Sequence, residues 1–193
     1  MVLSYAGSGK ASGSEFTARY TPWPAPRRAV APPSVVIIGG QSVKTTGKRG
    51  IRDFDGHKRV KGRKWHILVD TLGLLIASRV EPAGMSDLRA RATLVACLSP
   101  LWPTIRTVIA DAGHESRKLA AEIKRHEGWR LVIVKRSEPT FKVVGLNWIV
   151  ERTFGRLGRH RRLSKDDELM VQTSETLVQS AAIRTILNRL APA

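Results

Sequence analysis

WHILVDTLGLLIASRV, residues 65–80, is the stretch whose reading decides the fold. Apolar and β-branched residues fill both halves, and a turn-forming tripeptide divides them. The pattern predicts a β-hairpin, with HILVD (66–70) as one strand, TLG (71–73) as the turn and LLIASRV (74–80) as the other strand. Upstream, SVVIIGGQSV (34–43) is a short β-branched run with two glycines at its centre, which reads as a strand that bends. Downstream, TIRTVIAD (104–111) and WRLVIVKR (129–136) read as further strands. Helical patterns lie between and after them. DLRARATLVACL (87–98) has Asp87 as an N-cap and Pro100 as a stop. HESRKLAAEIKRHEG (114–128) is closed by Gly128. Residues 147–162 place Val150, Phe154 and Leu157 on one face, and residues 168–190 place Met170, Leu177, Ala181, Ile186 and Leu190 at helical spacing.

Three strands therefore run as a meander, and strands then alternate with helices. That order predicts an α/β layer architecture, a mixed five-stranded sheet flanked by helices. It suits a ribonuclease H-like fold, although other small α/β folds share the pattern. Residues 1–33 differ from the rest. They are rich in Gly, Ser, Ala and Pro and predict an irregular segment ahead of one domain at 34–190.

Composition narrows the function. The chain has 193 residues, 42% of them apolar, enough for one domain with a core. Lys and Arg number 33 against 16 Asp and Glu, a formal charge of +17 that points to a polyanionic partner. No run approaches the ~20 apolar residues of a membrane span, and the N-terminus lacks the pattern of a signal peptide. The single cysteine, Cys97, excludes an intrachain disulfide and reads as a buried thiol. A soluble protein in a reducing compartment, not associated with a membrane, is expected.

Two acids stand where a metal site could form. Asp111 ends the apolar strand TVIA, where a carboxylate gains a rigid backbone behind it. Glu151 follows Trp148, Ile149 and Val150 on a helix, and Arg152, Arg156 and Arg159 make a basic stripe beside it. A carboxylate that holds a divalent metal next to arginines that hold phosphate is the arrangement phosphodiester chemistry uses. Each feature also has a plain structural reading: a turn or cap aspartate, a solvated glutamate, an ordinary exposed face. The five histidines have no metal-ligand spacing, and Trp65 and Trp129 read as packing residues at strand starts.

Five blocks, IIGGQSVKTT, KGRKWHILVDTLGLLIA, VIADAGHES, LVIVKRS and WIVERTFGRLGRHRRLSKDDE, occur in the order found in insertion-sequence DDE transposases of families four and five. Over residues 34–190 the chain resembles the catalytic domain of those enzymes. The resemblance implies a ribonuclease H-like fold and an Asp-Asp-Glu triad that binds two Mg²⁺ (or Mn²⁺) ions. It also implies metal-dependent DNA nicking and strand transfer, with transposon ends and target duplex DNA as partners and a homodimer as the working form. Asp111 takes the place of the second acid and Glu151 that of the third, and both are expected to be catalytic metal ligands.

The resemblance is incomplete. Relatives carry the first aspartate in the block that here reads IIGGQSVKTT, and its position is Gly39. Asn147 stands where the family often has a basic residue. Asp70 and Asp87 are the nearby acids able to substitute, against their plain readings as a turn residue and a helix cap. The helical region that precedes the first acid in relatives has no counterpart in residues 1–33, and a shifted reading frame or a truncated element would produce both oddities. Residues 44–64, rich in Lys and Arg, are expected to approach DNA. The DNA-contact set is Lys44, Lys58, Lys61, Arg63, Lys64, Arg152, Arg156, Arg159 and Arg162. Without the first acid, a chain that binds DNA but does not cut it, as a remnant or an inhibitor of an intact transposase, is the alternative expectation.

Overall fold

The computed structural model describes residues 32–47, 50–85, 94–95, 101–111, 120–121, 123–125, 128–134 and 146–190. The N-terminal segment, Asp87, Cys97 and most of the helix expected at 87–98 lie outside these residues. The 65–80 stretch forms the expected hairpin, but its first strand starts earlier. In chain order the strands are β1 (Val35–Lys44), β2 (Asp53–Asp55), β3 (Val60–Asp70), β4 (Leu75–Pro82), β5 (Thr107–Asp111) and β6 (Arg130–Val134).

β3 is the axis of the sheet. β1 pairs with it antiparallel along one side, from Val36↔Asp70 to Lys44↔Gly62. β4 pairs with it along the other, and the short β2 continues that edge through Asp53↔Gly62. β5 and β6 then add parallel to β1 and β5, which makes the sheet mixed. The register of β1 against β3 runs unbroken through Gly39 and Gly40, so the expected bend does not interrupt the pairing. Strand β2 was not expected. Three residues, two of them acidic, carry no apolar alternation to reveal a strand.

The alternation of β1 and β3 feeds two cores. Ile37, Val43, Trp65, Ile67 and Val69 face one side. Val36, Ile38, Leu68, Ile105 and Val108 face the other, with helical residues Leu94, Val95 and Ile123 and with Trp129. Trp65 and Trp129 are both buried packing residues, as expected. Of the helix expected at 114–128, residues 120–121 and 123–125 are described and helical, and Gly128 follows at φ +68° with its N–H on the Lys124 carbonyl.

Helix α1 (Trp148–Leu157) lies on the first side. Its Ile149, Val150, Phe154 and Leu157 are buried, each worth ~1.5–3 kcal/mol of apolar burial. The expected helix at 147–162 is shorter, because the chain turns at Gly158 and a 3₁₀ turn, Arg161–Leu163, follows. Helix α2 (Val171–Leu190) packs on β4 through Ser174, Val178, Gln179, Ala181 and Ala182. Met170 and Leu190, expected on its apolar face, are exposed instead. The small side chains are what let α2 approach the sheet. Among the described residues no helix is long and apolar enough to cross a membrane.

Arg63 joins these parts. It is 1% exposed. Its Nε donates to the Ile51 carbonyl at 2.9 Å, Nη1 to Asp166 Oδ1 at 2.8 Å and Nη2 to the Leu169 carbonyl at 2.9 Å. Asp166 Oδ2 accepts the Ser174 hydroxyl at 2.5 Å and the Trp65 indole N–H at 3.4 Å. The Asp166 backbone N–H donates to the Lys44 carbonyl at 2.9 Å. Removing one partner of such a pair leaves a buried charge uncompensated, so Asp166→Ala is expected to destabilise the chain by ~3–5 kcal/mol in urea unfolding. A loss below ~1 kcal/mol would contradict this role.

Glu175 sits half-buried on α2 against the edge of β4. Burial pushes its carboxyl up to about 7, with Glu81 adding to the rise, while Arg79 and the Val80 N–H oppose it. The folded form thus takes up a proton that the unfolded form, near 4.5, does not hold until lower pH. The associated stability is complete below about 4.5 and is lost as pH rises through about 7. Thermal melts across that window should show a rise in Tm on acidification that is reduced in Glu175→Gln. Equal pH dependence in the two proteins would refute it.

Candidate active site

The site begins with the register of β1 and β5. Their parallel pairs are Val35↔Thr107, Val36↔Val108 and Ile37↔Ile109. Carried two residues further, that register sets Gly39 level with Asp111, the last residue of β5. Both residues then belong to the face of the sheet that α1 covers. A Cβ on Gly39 would collide with Cγ1 of Val150 and lie 3.3 Å from its Cβ. Glu151 is the next residue of α1. Asp111 and Glu151 are both exposed, at the end of a buried strand and on a helix whose other face is buried. Gly39 therefore lies between the strand that carries Asp111 and the helix turn that carries Glu151.

Asp70 is not placed to replace it. Asp70 pairs with Val36, whereas Gly39 pairs with Ile67. Asp70 is a turn residue, with Oδ1 accepting the N–H groups of Leu72 at 2.9 Å and Leu74 at 2.8 Å. Burial raises its pKa, and those N–H groups and Arg189 only partly offset the rise. Asp87 lies outside the described residues.

The expected DNA contacts divide into two groups. Lys44, Lys58, Lys61 and Arg159 are exposed. Arg162 is exposed too and pairs with Glu168, which raises its pKa. Arg63 and Lys64 are buried: Arg63 is bound to Asp166, and Lys64 Nζ lies 3.3 Å from Asp55 Oδ2. Both are corrections to the expected contact set, because their charges are compensated inside the protein. The stripe on α1 is also broken up. Arg152 lies over the Trp148 ring at 4.2 Å and reaches the Leu72 carbonyl at 3.5 Å. Arg156 is half-buried, and Arg159 lies beyond the end of the helix.

The sequence reading overlooked Asp55 and Ser42. Asp55 is 5% exposed, and its carboxylate accepts the Ser42 hydroxyl at 2.5 Å. The dipeptide Asp55-Gly56, a turn signal, was available to find the hairpin that Asp55 begins.

The conserved-pattern match for a transposase DDE domain spans residues 31–183. The chain belongs to the transposase DDE domain family. No curated protein sequence matches it. Among solved structures, the catalytic core domain of BIV integrase is similar at a TM-score of 0.51 and 12% identity, over 78% of this chain and 81% of that one. The simian T-cell lymphotropic virus intasome, solved with a PP2A regulatory subunit, is similar at 0.54 and 16% identity. That match takes in 86% of this chain and 52% of the intasome chain, so the chain spans about half of it. These likenesses show the fold: the sheet and its flanking helices are the ribonuclease H-like arrangement.

DDE domains generally use divalent metal ions. The donor set here does not fit a two-ion centre. Gly39, which the family blocks set at the first acid, has no side-chain oxygen, and the described residues contain no group of three or more His, Cys, Asp or Glu able to hold a metal.

The contact between Gly39 and Val150 has a measurable consequence. Gly39→Asp forces α1 away from β1, an overpacking that typically costs ~1–3 kcal/mol. Its Tm should fall below that of the parent, and Val150→Ala in the same chain should recover part of the loss. A Gly39→Asp protein as stable as the parent would show that the helix has room to spare.

Proposed function

We propose that this chain is a DDE transposase domain of the insertion-sequence families four and five kind that grips transposon-end duplex DNA and does not cut it. The observation that carries the reading is Gly39. A two-ion site needs carboxylates to offset two divalent charges held close together, and here the first is absent while Val150 occupies its space. Asp111 and Glu151 are the remaining members of the triad. They are too few for nicking or strand transfer through paired Mg²⁺ or Mn²⁺ ions.

DNA binding is a separate property and does not need the triad. The formal charge of +17 and the exposed Lys44, Lys58, Lys61, Arg159 and Arg162 support it. The chain acts in the bacterial cytoplasm at the nucleoid, with two copies on paired ends. Such a protein competes with an intact relative for its ends, which makes it an inhibitor.

End-labelled transposon-end duplex separates the two properties. Gel shifts should show binding that weakens steeply as salt rises, because each phosphate contact releases counterions. Incubation with Mg²⁺ or Mn²⁺ should leave the strands intact. Robust nicking that Asp111→Ala abolishes would overturn the reading, and so would a failure to shift the duplex at low salt.

A further inference from the structure

We infer that the β2–β3 hairpin is a preorganised phosphate-binding arm, in which Lys58 meets the DNA backbone at the Gly40 carbonyl and Asp55 and Ser42 are the residues that position it. The inference rests on the DNA-binding reading above and adds a place and a mechanism to it.

The hairpin tip, Gly56-His57-Lys58-Arg59, is exposed along its whole length. Exposed basic loops are usually mobile, because their long side chains and backbone have nothing to hold them. This one is held from beneath. Asp55 Oδ1 accepts the backbone N–H groups of His57 and Lys58, each at 3.0 Å. Its Oδ2 accepts the Ser42 hydroxyl of β1 at 2.5 Å and faces Lys64 Nζ of β3 at 3.3 Å. One buried carboxylate thus ties the tip to both central strands.

Burial works against an ionised Asp55, but the Ser42 hydroxyl, the Lys58 N–H and the Lys64 ammonium outweigh it. The carboxyl is held well below its usual range. The anchor is thereby held in its charged form. Arg59 completes the turn at φ +53°, a conformation few non-glycine residues adopt unless their surroundings impose it.

The consequence falls on Lys58. Its ammonium donates to the Gly40 carbonyl at 3.3 Å, one residue from Gly39. An ammonium has three donors, so this contact leaves two N–H groups available to a phosphate oxygen. Lys64 already balances Asp55, and among the described residues neither Lys58 nor Arg59 has an ion-pair partner. The arm therefore presents uncancelled positive charge at the Gly40 carbonyl of β1. A phosphate there is met by an ammonium, without a metal.

The test measures fluorescence anisotropy of a labelled mixed-sequence duplex against salt in the absence of divalent ions, on the whole chain. Lys58→Gln, at an exposed position, should leave the thermal midpoint unchanged. It should weaken binding several-fold at low salt and reduce the slope of log K against log salt by about 1. Asp55→Asn and Ser42→Ala should lose the same slope although Lys58 is intact, and adding Lys58→Gln to Asp55→Asn should cost little more. Ser42→Ala keeps the test usable if Asp55→Asn does not fold. Binding whose slope Lys58→Gln leaves unchanged would overturn the arm and spare the DNA-binding reading. A slope lost in Lys58→Gln but kept in both Asp55→Asn and Ser42→Ala would overturn the positioning roles. A parent protein that binds no duplex at low salt would overturn both the arm and the reading it rests on.

Discussion

A guanidinium shut away from water must have its N–H groups satisfied, and Arg63 finds its partners in segments far apart in the chain. It lies on the central strand, and its acceptors belong to the loop before β2 and to the stretch between α1 and α2. The rigid fork of the side chain leaves little freedom in where those acceptors sit. Asp166 is then fixed, and with it the bridge to Thr45 and the hydroxyl of Ser174 at the start of α2. A buried ion pair of this kind adds little net stability compared with apolar packing. What it supplies is location. It ties the segment after α1 back to β1 and β3, and α1 in turn is seated where Val150 covers Gly39.

The parts of the fold that could be read from sequence are those whose cause is local. The hairpin follows from alternation on either side of a turn, and the buried face of α1 follows from the spacing of Val150, Phe154 and Leu157. The parts that were missed depend on contacts between distant residues. Arg63 and Lys64 look like surface cations in a basic run, and nothing nearby in sequence reveals Asp166, which bonds to Arg63 across 103 positions. For the same reason β3 reaches back into residues that looked like a linker. The face of α2 was misjudged because periodicity favours large apolar residues, whereas close approach to β4 selects Ser174, Ala181 and Ala182. The positions Gly39, Asp111 and Glu151 came from family blocks and not from spacing, since an acid at a strand end is usually a turn residue.

Charge is sorted by the same fold. Asp55, Asp166, Glu81 and Glu168 all lie against basic side chains, and the first three are buried. Acids are the minority in this chain, and these are engaged with Lys64, Arg63, Arg79 and Arg162. The remaining exposed cations include Lys58 and Arg59 on the hairpin tip and Lys61 on β3. A +17 chain with its acids evenly spread would show a milder surface.

Gly39 acts on this distribution in a way that loss of a surface acid would not. A carboxylate there would have placed negative charge between Asp111 and the turn of Glu151, and without metal ions that concentration of acid repels phosphate. The glycine removes one of those charges and lets α1 close onto β1. Lys58 lies at the carbonyl of the neighbouring residue, Gly40. On the reading proposed above, the absent carboxylate counts against two-metal chemistry and in favour of a bare phosphate. On that reading, affinity for DNA and the ability to cut it would separate at this one residue.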